Sequence, residues 1–305
     1  MIRRTIVKAF NAVEKAEGAG ARVRRSIGVP ELRNFSPFLM LDHFAIGKGA
    51  GFPDHPHRGQ ETITYLFSGS VDHEDFTGSS GTIRAGDLQF MTAGRGIVHA
   101  EMPGKQDPNE KNPQPNVGMQ LWIDLPKDLK YCEPRYRDLR RDDVPTVTTS
   151  DGKVTIKIIS GESHGVESVK DLAYTPVWFF DFSISPGGRV TQPLPQTWNS
   201  FMYIISGSIH VHTSEEPATK INEFHNVVFS REGEGVELSV PEDAKESARA
   251  IVVAGQVLDQ NVVQYGPFVV NSEEEVHQAM RDYQGYVNGF ERAKGWKSEI
   301  GKSMA

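Results

Sequence analysis

Four residues stand in two short pairs: His55 and His57 in HPHRGQE, and His99 and Glu101 in GIVHAE. Each pair is spaced i, i+2, and on a β-strand such residues project to one face. Two such strands side by side would aim three imidazoles and one carboxylate at a common point. That donor set suits a divalent transition metal. Four protein donors leave positions open on an ion that prefers six ligands, which favours Fe(II), Mn(II) or Ni(II) over a closed structural zinc site. Affinity order alone would favour Cu(II) or Ni(II) over iron. Water, O2 or a substrate could take the open positions. The other seven of the ten histidines (His43, His73, His164, His210, His212, His225 and His277) are read as surface or hydrogen-bonded residues; the His210-x-His212 spacing has no second pair to match it.

Strands must position these groups, and strand-like segments recur through most of the chain. They run from Phe38 to Leu125, broken by turn residues such as Ser79-Ser80-Gly81, Ala85-Gly86 and Ala93-Gly94-Arg95-Gly96, and resume from Val147 to Gln256. That rhythm predicts an all-β sandwich or barrel. Pro103–Asn116 (PGKQDPNEKNPQPN) is a polar, proline-rich loop expected to border the mouth of the site. Lys127–Val144 is charged and poor in aliphatic side chains, so it reads as the domain connection, and its Arg135, Arg137, Arg140 and Arg141 as a solvated face. SEEEVHQAMRDYQG begins with Ser272 as N-cap and Glu275 in capping-box position, which predicts a helix over about 273–283, followed by a polar tail anchored by Trp296.

The two halves resemble each other. TITYLFSGSVDHE aligns with SFMYIISGSIHVH, and the same register sets His55 and His57 against Pro193 and Pro195. A looser alignment of GDLQFMTAGRGIVHAE with HNVVFSREGEGVELSV sets His99 and Glu101 against Leu238 and Val240. One half of a duplicated scaffold therefore keeps all four donors and the other has none, so the fold does not require them. The expected domains are 1–134, with the metal site, and 135–305, without ligands but carrying the terminal helix.

Composition narrows the functional classes. The 305 residues carry a net charge of −7, which gives no case for direct nucleic-acid binding. No apolar run approaches the ~20 residues of a membrane span, and the N-terminus lacks the apolar stretch of a signal peptide. The single cysteine, Cys132, excludes a disulfide within the chain and reads as a buried thiol in an intracellular protein.

Gly49, His55, His57 and Glu61 fit the first cupin motif, with Gly69 one residue late; Gly86 and Gly94 fit the second, with Thr92 in place of its proline and His99 two residues late. FSPFLMLDHF, FPDHPHRGQETITYLFSGSVDHEDFTG and GDLQFMTAGRGIVHAEMP closely resemble the pirin family, over about residues 2–290. The resemblance implies two tandem cupin jelly-roll barrels with a short C-terminal helix. It implies one iron ion, Fe(II), held by His55, His57, His99 and Glu101, with Mn, Ni or Cu as other candidates. Glu61, a ligand in many other cupins, is then expected behind the ligands, orienting an imidazole. Arg58 and Arg95 are candidates to face the cavity, and Phe44, Phe52, Phe76, Phe90 and Met91 to line it. Asp42, His43 and Phe44 in LDHF read as core and supporting groups.

Because pirins resemble quercetin 2,3-dioxygenases, the implied activity is O2-dependent cleavage of a flavonol with release of carbon monoxide, Glu101 acting as base. The alternative implied by the animal members is a redox-sensitive iron protein that binds a transcription factor in the nucleus. Cytoplasm, nucleus or both are the expected locations, and a monomer the expected state.

Overall fold

The structure, a computed structural model, describes residues 1–47, 49–104, 114–214 and 217–304. Residues 105–113, the body of the proline-rich loop, lie outside the described residues.

The chain forms two compact units whose segments interleave. The first comprises Glu14–Gly28, Phe38–Arg141 and Leu258–Ala305; the second comprises Met1–Val13, Val29–Pro37 and Asp142–Val257. A single boundary at 134/135 therefore misses both crossings: an N-terminal strand serves the second unit and the C-terminal helix serves the first. Each unit is a two-sheet jelly roll rather than a closed barrel.

In the first unit, a seven-stranded antiparallel sheet has the order Arg135–Leu139, Leu88–Thr92, Gln60–Ser68, Asn116–Asp124, Phe38–Ile46, Ala21–Ile27, Glu14–Glu17. Its companion has four strands in the order Phe52–His57, Ile97–Pro103, Ser70–Asp75, Ser80–Arg84. The second unit repeats this plan. Its seven-stranded sheet runs Ile6–Asn11, His225–Phe229, Asn199–Ser206, Ala248–Gly255, Val177–Ile184, Val154–Ser160, Thr146–Thr148, and its four-stranded sheet runs Arg189–Pro193, Gly235–Ser239, Ser208–His212, Thr219–Asn222. Its interior is a continuous apolar cluster that includes Leu238 and Val240, the counterparts of His99 and Glu101.

Lys127–Val144 holds the passage from one unit to the other, between Arg141 and Asp142, but most of it is built into the first unit. It contributes a buried lysine, Lys130, whose ammonium bonds to Asp124 and to the carbonyls of Gly59 and Val269, and the edge strand Arg135–Leu139. Arg140 pairs with Asp87 at 3.1 Å. The arginines mask the alternation of RYRDL, whose Leu139 is buried.

The helix spans Glu273–Gly285. Ser272 Oγ accepts from the Glu275 amide at 3.2 Å, and Glu275 Oε2 accepts in return from the Asn271 amide at 2.8 Å. Its Ala279 joins Phe76, Met91, Ile97, Phe268 and Phe290 in one buried cluster, against which Trp296 packs. Replacing Ser272 by alanine frees one orphan amide and should cost about 1 kcal/mol. Thermal unfolding should then move down by about 2–4 °C; an unchanged midpoint would show that the Ser272 hydroxyl adds nothing to the helix.

Candidate metal centre

The four-stranded sheet of the first unit brings the two short pairs together. Phe52–His57 runs antiparallel to Ile97–Pro103 with His55 directly opposite His99. Opposed residues share a face, so His55, His57 and His99 all project into the unit. The imidazole nitrogens of these three close to within 4.8 Å of one another. His55 Nε2 and His99 Nε2 lie 3.0 Å apart. Two nitrogens ~2.1 Å from one ion and at right angles to each other would be ~3.0 Å apart. His55 donates from Nδ1 to the Pro53 carbonyl at 2.8 Å, which leaves its Nε2 lone pair for an ion.

His57 and His99 are only 1% and 2% exposed. Burial first, then the neighbouring rings, push both well below the ordinary imidazole range. Both rings are therefore neutral at neutral pH, the form that binds metals. His99 Nδ1 is buried with no hydrogen-bond partner among the described residues. Three imidazoles this close, two of them held neutral and one with an unpartnered nitrogen, fit a transition metal.

Glu101 shares the strand but not the cluster. The ladder shifts register between His99 and Glu101. Its carboxylate turns to the facing sheet, where Oε1 accepts from Thr64 Oγ1 at 3.2 Å and Oε2 from Gln120 Nε2 at 2.9 Å. Gln120 Oε1 accepts in turn from Trp122 Nε1 at 2.8 Å, and Trp122 stands edge-on to His57 with ring centroids 5.1 Å apart.

The supporting residues differ from those expected. Glu61 lies opposite Thr92, and its carboxylate accepts from Thr92 Oγ1 at 2.7 Å. Strand alternation puts Glu61 on the face away from Thr62 and Thr64, so it does not orient an imidazole. Its neighbour Gln60 does, with Nε2 2.7 Å from His57 Nδ1. Phe90 pairs with Ile63 and faces away with it, whereas Met91 pairs with Thr62 and faces inward. Phe52 is half-buried against a cluster that includes Val23, Phe44, Leu66 and Val71.

Arg58 does not face the cavity. Its guanidinium is fully buried and donates to Asp282 Oδ2 at 2.8 Å and to the Arg95 and Asn288 carbonyls at 2.6 Å each. Arg95 itself pairs with Glu133 and Glu291 at the surface, and Asp42 takes two bonds from Arg25. Cys132 is half-buried, and burial pushes its thiol up, away from thiolate chemistry.

His73 stands directly opposite Glu101 on the neighbouring strand and is buried, with Nε2 2.9 Å from Gln89 Nε2. The signal for it, and for Gln60, Thr64 and Gln120, was alternation: each is in phase with an inward residue of its own strand.

Fold and site together define a two-domain cupin protein with a candidate mononuclear metal centre in its first unit. Residues 20–123 match the family described as Pirin, and residues 179–289 match the Pirin C-terminal cupin domain. Human Pirin is 46% identical over 289 residues, covering 94% of this chain and 95% of its own. A pirin-like protein of Solanum lycopersicum is 46% identical over 296 residues, 97% of each chain. Among solved structures, a quercetin 2,3-dioxygenase from Acinetobacter baumannii superposes with a TM-score of 0.82 at 27% identity, covering 93% of this chain and 98% of its own. The chain belongs to the pirin family. Among the described residues, no helix is long and apolar enough to cross a membrane.

Proposed function

We propose that the chain is a mononuclear iron protein that cleaves the central ring of a flavonol with O2 and releases carbon monoxide. The observation that carries this reading is the cluster of three imidazoles, on a fold shared with a quercetin 2,3-dioxygenase over nearly its whole length. His55, His57 and His99 would hold the ion, and Glu101, two residues beyond His99 on the same face, would complete the donor set. When bound, the ion would acidify a coordinated hydroxyl and supply the redox chemistry with O2.

The chain's own groups divide the remaining work. Glu101 is the carboxylate within reach of a substrate hydroxyl and takes its proton at Oε1 or Oε2. Thr64 and Gln120 hold that carboxylate in place and keep its oxygens hydrogen-bonded until substrate arrives. Met91 and Phe44 lie on inward faces, where apolar side chains favour a planar aromatic guest and exclude water.

The test is anaerobic loading with Fe(II), Mn(II) or Ni(II), then addition of quercetin and air-saturated buffer. Carbon monoxide release and loss of the flavonol absorbance are expected, and both should disappear in Glu101→Ala. A metal-loaded protein that leaves quercetin intact with all three ions would refute the dioxygenase reading.

A further inference from the structure

Gln60 is wholly buried at the start of its strand, and its side-chain amide meets one group only. The end placed as Nε2 lies 2.7 Å from His57 Nδ1, and the end placed as Oε1 is buried with no hydrogen-bond partner among the described residues; a half-turn of the amide exchanges the two. The contact with the ring therefore decides which way the carboxamide faces. It can present an N–H to a bare Nδ1, or its oxygen to an Nδ1–H. A buried neutral imidazole carries one proton. If that proton sat on Nε2, the ring would have no lone pair to turn toward His55 and His99.

We propose that Gln60 is the positioning residue of the metal centre: its carboxamide oxygen accepts a hydrogen bond from His57 Nδ1–H and so fixes the tautomer that offers Nε2 as a ligand. The inference rests on the metal-centre reading: geometry places the Gln60 carboxamide at Nδ1, and a ring that keeps its Nε2 lone pair for the ion carries its proton on Nδ1, so that the carboxamide must turn its oxygen there. His55 has the same arrangement by other means, since the Pro53 carbonyl holds its Nδ1–H. In His57 the acceptor is a side chain and can be changed without touching the backbone. The packing is tight on both sides: Trp122 bounds the ring at one edge, and the Gln60 backbone carbonyl accepts from the Ala93 amide at 2.9 Å.

Gln60→Met keeps the volume and removes the acceptor; Gln60→Glu keeps an acceptor that cannot donate. Co(II) binding to the full-length chain, measured by competition with a chelator, should weaken by about 10–100-fold in Gln60→Met, the usual cost of losing a group that orients a ligand. Gln60→Glu should bind Co(II) at least as tightly as the unaltered chain. Equal affinity in Gln60→Met, or a loss in Gln60→Glu as large as in Gln60→Met, would overturn the proposal. The second readout needs neither metal nor variant: long-range 1H–15N correlation spectra of the metal-free protein, labelled at histidine. They should place the His57 proton on Nδ1, and a proton on Nε2 would overturn the assignment to Gln60. A chain that takes up no Co(II) at all would instead refute the metal centre, with the spectra still deciding the role of Gln60.

Discussion

His99→Leu should abolish tight metal binding while leaving the fold intact. His99 is the hinge of the cluster: its Nε2 is 3.0 Å from His55 Nε2, and its ring centroid lies 5.0 Å from that of His57. Losing it removes a donor outright, so the loss of affinity should exceed the ~10–100-fold typical of residues that act behind a ligand. Leucine is the informative replacement because the second unit carries Leu238 at the corresponding position, within an apolar core. Without metal, the variant should unfold at or above the midpoint of the unaltered chain, because a buried imidazole with an unsatisfied nitrogen gives way to an apolar side chain. Metal at ~100 times its dissociation constant should stabilise the unaltered chain by about 2.7 kcal/mol and the variant not at all. Scanning calorimetry with and without Fe(II) under anaerobic conditions reads both effects. A variant that metal still stabilises fully would remove His99 from the ligand set.

Arg58→Met should be the most damaging substitution away from the cluster. The Arg58–Asp282 pair is 2.8 Å long, with both side chains almost fully buried, and the guanidinium also lies 4.7 Å from the centre of the Phe290 ring. Removing the cation strands a buried carboxylate, which typically costs about 3–5 kcal/mol. Two bonds would still reach Asp282 Oδ1, from Gln278 at 2.6 Å and Asn288 at 2.8 Å, so the lower end of that range is the expected result from urea unfolding at pH 7. Replacing Asp282 by leucine as well should recover much of the loss, since no unpaired charge remains.

The same pair predicts a pH dependence. Burial raises the Asp282 pKa, but the bonds from Arg58, Asn288 and Gln278 outweigh it and hold the group below its ordinary 3.8. A depressed carboxyl means that the unfolded chain takes up the proton first as acid is added. The stabilisation from Asp282 is thus complete above the unfolded value and disappears as pH falls through the lower folded value. Unfolding free energy should accordingly lose this contribution only below about pH 4, and less steeply in Arg58→Met. Equal acid sensitivity in the two proteins would show that the pair carries no such linkage.

The ligand histidines were legible because i, i+2 spacing survives any detail of sheet packing, and because the second half of the chain shows the same strands without them. The helix was legible from Ser272 and Glu275, whose capping bonds are local. Three features escaped for physical reasons. Glu61 and Gln60 are neighbours, so their facing depends on the phase of one strand, and QETITYL is buried on both faces. Alternation separates Gln60, Thr62 and Thr64 from Glu61, Ile63 and Tyr65, but with both rows buried it does not mark which of them faces the ligands. Arg58 sits next to a ligand in HPHRG, but its partner lies 224 residues away on the helix, beyond any local pattern. Glu101 falls past a register shift between paired strands, and its bonds to Thr64 and Gln120 come from the other sheet. The interleaved units were hidden for a similar reason. Thr5–Phe10 reads as a strand, but the choice of His225–Phe229 as partner of Ile6–Asn11 is made by the tertiary fold.

The most direct test of the metal centre is elemental analysis of the chain after anaerobic loading with Fe(II) and removal of free ion by gel filtration. One iron per chain is the expected result, falling to background when His55, His57 and His99 are replaced together. A chain that retains no iron, or one that retains as much after all three imidazoles are gone, would contradict the assignment.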